Sequence, residues 1–204
     1  MSSVAAGFAL GLAVAASPGP IFFLCVRRTL LRGRLYGLVS GLGVATADGF
    51  YAAIASFGVA VLATALVDSR RPLAVIGGVV LIALGVKILV ERRASTVEAA
   101  PNTGGSLALA YLSTLGLTIT NPATILSFAA LAAALGLGSG GGFARPALLV
   151  GGVLGGSATW WCLVAFGVST LRSRLTPAVL RGFSTASGLA IAVLGTLALY
   201  TAFT

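Results

Sequence analysis

Ser17-Pro18-Gly19-Pro20 interrupts an apolar run, VAAGFALGLAVAASPGPIFFLCV over residues 4–26, that meets no charge before Arg27. The run is long enough for one membrane-spanning helix, yet the four residues inside it oppose a continuous helix. Each proline lacks the N–H that would close an i→i−4 bond and crowds the carbonyl four residues back, and the glycine between them is conformationally loose. Lipid-facing backbone does not tolerate such a break. Discontinuous backbone at membrane depth survives where protein or a water-filled cavity receives the freed polar groups. The stretch therefore predicts a broken span beside a cavity.

The rest of the chain agrees with a membrane environment. Of 204 residues, 58% are apolar and 8% charged, and the mean hydropathy is +1.07. Soluble domains give about a quarter of their residues to Asp, Glu, Lys and Arg. At about 20 apolar residues per span, the chain has room for six spans, short loops and no soluble domain, as one compact membrane unit over residues 1–204. The net charge of +9 sits in loops between apolar runs, a pattern that orients membrane chains, and no basic stripe interleaved with aromatics points to nucleic acid. With no histidine, two cysteines and four acids, haem, zinc and di-metal sites lack ligands and a histidine-based triad is impossible. No cofactor and no enzymatic activity are expected. The first twenty residues resemble a secretory signal near Ala13-Val14-Ala15-Ala16-Ser17, but the positive charges follow the apolar segment instead of preceding it, so it is read as a retained first span.

The spans run at about Val4–Val26, Leu35–Val67, Leu73–Val90, Ser106–Leu135, Pro146–Val168 and Phe183–Phe203, with Glu91–Gly105 as the longest loop. Span two is long enough to tilt or break. Small-xxx-small pairs, Gly37/Gly41 and Ala45/Gly49 in span two and Gly151/Gly155 and Gly152/Gly156 in span five, suit close helix approach, within the chain or in a homodimer. The loops after spans one, three and five hold nine Lys and Arg, those after spans two and four hold three. The positive-inside rule then places both termini outside the cytoplasm.

A displacement of 109 lays Gly43-Val44 and Phe57-Gly58-Val59 onto Gly152-Val153 and Phe166-Gly167-Val168, and one of 110 lays Gly78, Leu84-Gly85 and Leu89 onto Gly188, Leu194-Gly195 and Leu199. Spans two and three thus pair with five and six, and one with four. Repeats of about 1–90 and 106–204 with three spans each must be inverted, the architecture that places transporter sites at the midplane between broken helices. Span four carries its own break at Thr120-Asn121-Pro122. Pro18 and Pro122 lie about 21–24 Å into their spans from opposite faces. The expected fold is an all-α membrane protein of six transmembrane helices, two inverted three-helix repeats with helices one and four broken.

The proline-glycine-proline of span one, Gly41-x-Gly43 followed by Asp48, Leu84-Gly85-Val86-Lys87 and Thr120-Asn121-Pro122 together resemble the LysE/RhtB family of amino-acid exporters over essentially the whole chain. The resemblance implies a secondary transporter in the bacterial inner membrane that exports amino acids such as lysine, arginine, threonine, homoserine, cysteine or leucine, with proton antiport as the coupling. The chain departs from the family pattern at Ala123, where lysine commonly follows Asn-Pro.

Asp48 is the one acid inside an apolar run, about 20 Å along span two, where a carboxylate costs several kcal/mol unless it is neutral, paired or hydrated. That suits a group that takes up a proton or meets a substrate ammonium; the structural alternative is a carboxylate held by hydroxyls or freed carbonyls. Lys87 is either a snorkelling anchor at the end of span three or the partner of Asp48. Ser17, Pro18, Gly19, Pro20, Thr120, Asn121 and Pro122 form the candidate substrate site, because a half-helix starting after a proline presents unpaired N–H groups to a cargo carboxylate; the alternative is a pair of kinks that only shape packing. A divalent-cation cargo wants more oxygens than one acid supplies. A thiol or electron carrier would use Cys25 and Cys162, but the repeat maps Cys162 onto Ala53. Trp160 and Trp161 are read as packing or cavity wall.

Overall fold

A computed structural model describes residues 2–17, 19–57, 69–94, 106–121, 124–128, 143–172 and 176–203. Helix α1 (Ser3–Ala15) starts where the Ala5 N–H donates to the Ser2 hydroxyl at 3.3 Å, and stops short of the prolines. Helix α2 (Pro20–Arg32) begins on Pro20 at its first position, where a missing N–H removes no helical bond. It ends on Gly33, whose φ of 93° lies in the left-handed region that a side chain disfavours. The same glycine leads into α3 (Arg34–Ser56). Then follow α4 (Arg70–Ala94), α5 (Leu107–Ile119), α6 (Ala144–Arg172) and α7 (Pro177–Thr201). Residues 124–128 resume helix after the second break.

Every element among the described residues is helical. Among the described residues four helices are long and apolar enough to cross a membrane, or five if α1 and α2, which meet at 81°, are one span; α5 is apolar but shorter. Span four is thus described only on either side of its break, and Pro18, Pro122 and Ala123 lie outside the described residues. Several boundaries differ from those expected. Helix α3 stops at Ser56 rather than continuing as one element toward Val67, with residues 58–68 outside the described set. Helix α4 takes in Arg70, Arg71 and Pro72, since a proline in the first turn breaks no bond, and runs through Glu91–Ala94 into the expected loop, because these residues favour helix. Helix α7 starts six residues before Phe183, where Thr176 accepts the Val179 N–H and Pro177 takes the first position.

Glycines set which helices touch. Helix α1 lies on α6, with Gly7 against the backbone of Leu149, Gly11 against that of Val153, and Gly152 and Gly156 against Val4 and Phe8. Of the two overlapping pairs expected in span five, Gly152/Gly156 makes this crossing, while Gly151 faces open space and Gly155 has one distant ring atom. Helix α3 packs between α5 and α6: Gly41 meets Trp161, Gly49 meets Leu154, and Gly43 meets Tyr111, Thr114 and Leu115. Helix α4 pairs with α7, with Gly78 against Gly195 and Gly85 against Gly188. Helix α2 joins the two groups, packing on α3, α6 and α7.

Candidate functional site

Two apolar clusters bracket the middle of the bundle, and each holds residues from beside both breaks. Ala15 and Ile21, flanking the first, pack in one cluster with Val44, Trp161 and Leu117, which precedes the second. Val14 joins Tyr51, Ile125 and Phe128 in the other. On α3, Asp48 lies between Val44 and Tyr51, so the carboxylate sits between the two clusters. It is 1% exposed. The Ser157 hydroxyl of α6 donates to Asp48 Oδ2 at 2.7 Å, a charge-assisted geometry when the acid is ionised. Neither Oδ1 nor any other part of Asp48 meets a cation among the described residues. Small neighbours allow this: with Ala47 fully buried and Gly49 against Leu154, α3 and α6 come close enough for a serine to reach the acid.

One turn along α3, Tyr51 serves the second break. Pro122 has no N–H to offer the Thr118 carbonyl, and that carbonyl takes the Asn121 N–H at 3.2 Å instead. The Ile119 carbonyl accepts the Tyr51 hydroxyl at 2.5 Å. The Tyr51 ring also stacks on Phe128, centroids 5.8 Å apart, beyond the break. Thr120 turns its hydroxyl back to the Gly116 carbonyl at 2.9 Å, and Asn121 accepts the Thr124 and Ile125 N–H groups through its own carbonyl. At the first break Ser17 is exposed and its N–H reaches the Val14 carbonyl at 3.2 Å. Gly19 caps α2 with no side-chain hydrogen bond, and a side chain built there would meet open space. The first turn of α2 therefore starts on Gly19 without a side-chain cap.

Residues 12–202 match the family described as LysE type translocator. The chain belongs to the LysE-type translocator family. Of curated proteins, the uncharacterized membrane protein YahN of Escherichia coli (strain K12) is 36% identical over 66 residues, 32% of this chain and 30% of that protein. The matched stretch thus spans under a third of the relative's length. No solved structure matches the chain. Family membership and the apolar helices make it a multi-pass membrane protein, in accord with the resemblance carried by the sequence motifs.

Within this translocator the remaining candidates are not brought together. Lys87 lies on the exposed side of α4, whose packing is mainly with α7, and makes no ion pair with Asp48. Cys25 on α2 is buried and Cys162 on α6 is half-buried, and both are free thiols. Trp161 is buried against Gly41, with Trp160 beside the same cluster; neither indole N–H has an acceptor among the described residues.

Three residues, two at Asp48 and one at the end of the bundle, escaped the sequence reading. Ser157 carries no signal as a serine in an apolar helix, although the displacement of 109 that defines the repeat places it opposite Asp48. Tyr51 follows Asp48 by three residues, the spacing of neighbours on one helix face. Arg28 reads as one of several bases ending a span. Instead its guanidinium reaches inward: Nη1 donates to Ser40 Oγ at 3.0 Å and to the Ala110 carbonyl at 2.9 Å, and Nη2 to Ser113 Oγ at 2.8 Å.

Proposed function

We propose that this translocator exports amino acids or closely related zwitterionic metabolites from the bacterial cytoplasm by proton antiport, through alternating access at a midplane site between two inverted three-helix repeats. The observation that carries the reading is Asp48, a buried carboxylate held by one serine at the level of two broken helices. A charged acid there is costly and a protonated one is not, so the site's energy depends on whether a proton or a cargo ammonium is present. The uncapped first turn of α2, next to Ser17, Gly19 and Pro20, suits the cargo carboxylate, and Thr120 and Asn121 add polar groups at the second break. Pro18 and Pro122 complete the proposed substrate site.

Contacts between the helices support the inverted repeat. In α4 and α7, Gly78 meets Gly195 and Gly85 meets Gly188, so each glycine touches the mate of the other under a displacement of 110. That reciprocity is what a two-fold axis produces. Asp48 touches its own mate, Ser157, as residues on the axis do. Gly43 meets Tyr111, Thr114 and Leu115, and Gly152 meets Val4, Gly7 and Phe8, sets displaced by 107. Such symmetry, with bases concentrated in odd loops, fits both termini outside the inner membrane.

Efflux of labelled amino acids from proteoliposomes under an imposed pH gradient tests the reading. Asp48→Asn is expected to lose gradient-driven efflux while keeping amino-acid exchange at equal pH, and Ser157→Ala to weaken the former. Full proton-coupled export by Asp48→Asn would sink the coupling role.

A further inference from the structure

The mechanism proposed at the midplane makes no use of Arg28, whose surroundings are unusual for a base at a span end. Two helices supply its acceptors: Ser40 from α3, and Ala110 and Ser113 from α5, while the arginine itself comes from α2. All three acceptors are neutral, and no carboxylate pairs with Arg28 among the described residues. Ser113 passes its own hydrogen to the Ala110 carbonyl at 3.1 Å, which turns its lone pairs to the guanidinium. The group is held in one orientation with its charge uncompensated.

A guanidinium has five N–H donors. Both on Nη1 and one on Nη2 are engaged. The remaining two, on Nε and Nη2, have no protein acceptor among the described residues, and these nitrogens form one edge of the planar fork. Two parallel donors on such an edge match the two oxygens of a carboxylate. The neighbouring bases turn elsewhere: Arg27 donates to Ser184 on α7 and Arg32 lies over the Tyr36 ring. Eight residues separate Ser40 from Asp48 on α3, about 12 Å along the helix, whereas two bonds separate the carboxyl carbon from the nitrogen of an α-amino acid. The α-carboxylate and α-ammonium of one amino acid do not span that separation.

We infer that Arg28, seated by Ser40, Ala110 and Ser113, is a carboxylate-docking site at the arginine-rich end of the bundle, separate from the midplane and visited by the cargo on its way to or from Asp48. The cargo's identity as an amino acid rests on the export reading, and the docking chemistry requires only the carboxylate.

Thermal unfolding of the purified protein in maltoside detergent, with a panel of L-α-amino acids and their α-carboxamides, tests the site. At least one amino acid is expected to bind about tenfold or more tightly than its amide, as loss of charge-assisted hydrogen bonds implies. Arg28→Gln should cut the acid preference down to what the midplane site alone gives, Arg28→Lys should keep more of it, and Ser113→Ala, which leaves the charge in place, should reduce it. Equal binding of acids and amides by the wild-type protein, or a full acid preference in Arg28→Gln, overturns the inference. If Arg28→Gln does not fold, an undiminished preference in both Arg28→Lys and Ser113→Ala overturns it. Stabilisation by anionic phospholipid alone would assign the fork to a headgroup and overturn it as well. Acid preference in binding without efflux from proteoliposomes would remove the export reading and leave the docking site standing.

Discussion

Replacing Gly156 by alanine places a Cβ 2.0 Å from the Phe8 carbonyl oxygen and 2.9 Å from the Leu12 nitrogen. Ordinary carbon contacts begin near 3.5 Å, so α1 has to retreat by roughly 1–1.5 Å. The atoms struck are backbone, and no rotamer change relieves the clash. A radial gap of about 1 Å forfeits up to half of each van der Waals contact, and Gly7, Gly11 and Gly152 sit on the same crossing and lose theirs too. Overpacking costs about 1–3 kcal/mol; the upper end applies here and moves the folding equilibrium by about two decades. The neighbouring glycine is the control. Gly151→Ala meets open space and gains up to about 1 kcal/mol of helix propensity, so the two substitutions should shift stability in opposite directions. Unfolding in mixed micelles of rising SDS fraction, followed through Trp160 and Trp161 of α6, measures both. Equal midpoints for Gly156→Ala and Gly151→Ala would refute the reasoning.

Tyr51→Phe keeps the stack on Phe128 but strips the Ile119 carbonyl of its donor, and a buried acceptor left unmade costs about 1–3 kcal/mol; an unchanged SDS midpoint would show that the carbonyl finds another partner. Lys87→Ala should leave gradient-driven efflux at the wild-type rate, because Lys87 lies on the exposed side of α4 away from Asp48. A loss matching that of Asp48→Asn would place Lys87 in the coupling path.

Composition and the two proline breaks made the helical membrane class legible, since neither depends on long-range contacts. Asp48 stood out for the same reason: an acid in an apolar run is conspicuous before anything is folded. Its partner was not, because a serine hydroxyl in a membrane helix usually turns to a carbonyl of its own helix, and only the approach of α3 to α6 shows that Ser157 does otherwise. Arg28 was hidden by its neighbours. Arg27, Arg28, Arg32 and Arg34 look alike as a span-end cluster, and helical phase alone does not say which of them points between helices. The glycine pairs were visible as close-approach surfaces, but their partners were not, which is why Gly151 and Gly156 looked equivalent. Boundaries failed where charged helix formers carried α4 past the apolar stretch.

The two halves of the first span are fastened to different parts of the protein. Helix α1 is gripped along α6 by glycine contacts on both helices, whereas α2 is tied to α7 through Arg27 and Ser184 at 2.9 Å and shares its packing with α3. Helices α4 and α7 in turn grip each other. Because α2 packs on both α6 and α7, any sliding of that outer pair past α6 loads α2 directly, whereas α1 is held by α6. The halves meet between Ala15 and Pro20, where the Ala16 and Ser17 N–H groups bond back to Leu12 and Val14 and no described backbone hydrogen bond crosses from α1 to α2. Among the described residues, the break in the first span adjoins the two apolar clusters that flank the buried Asp48, so the place where the span changes direction and the place where charge is handled share an address.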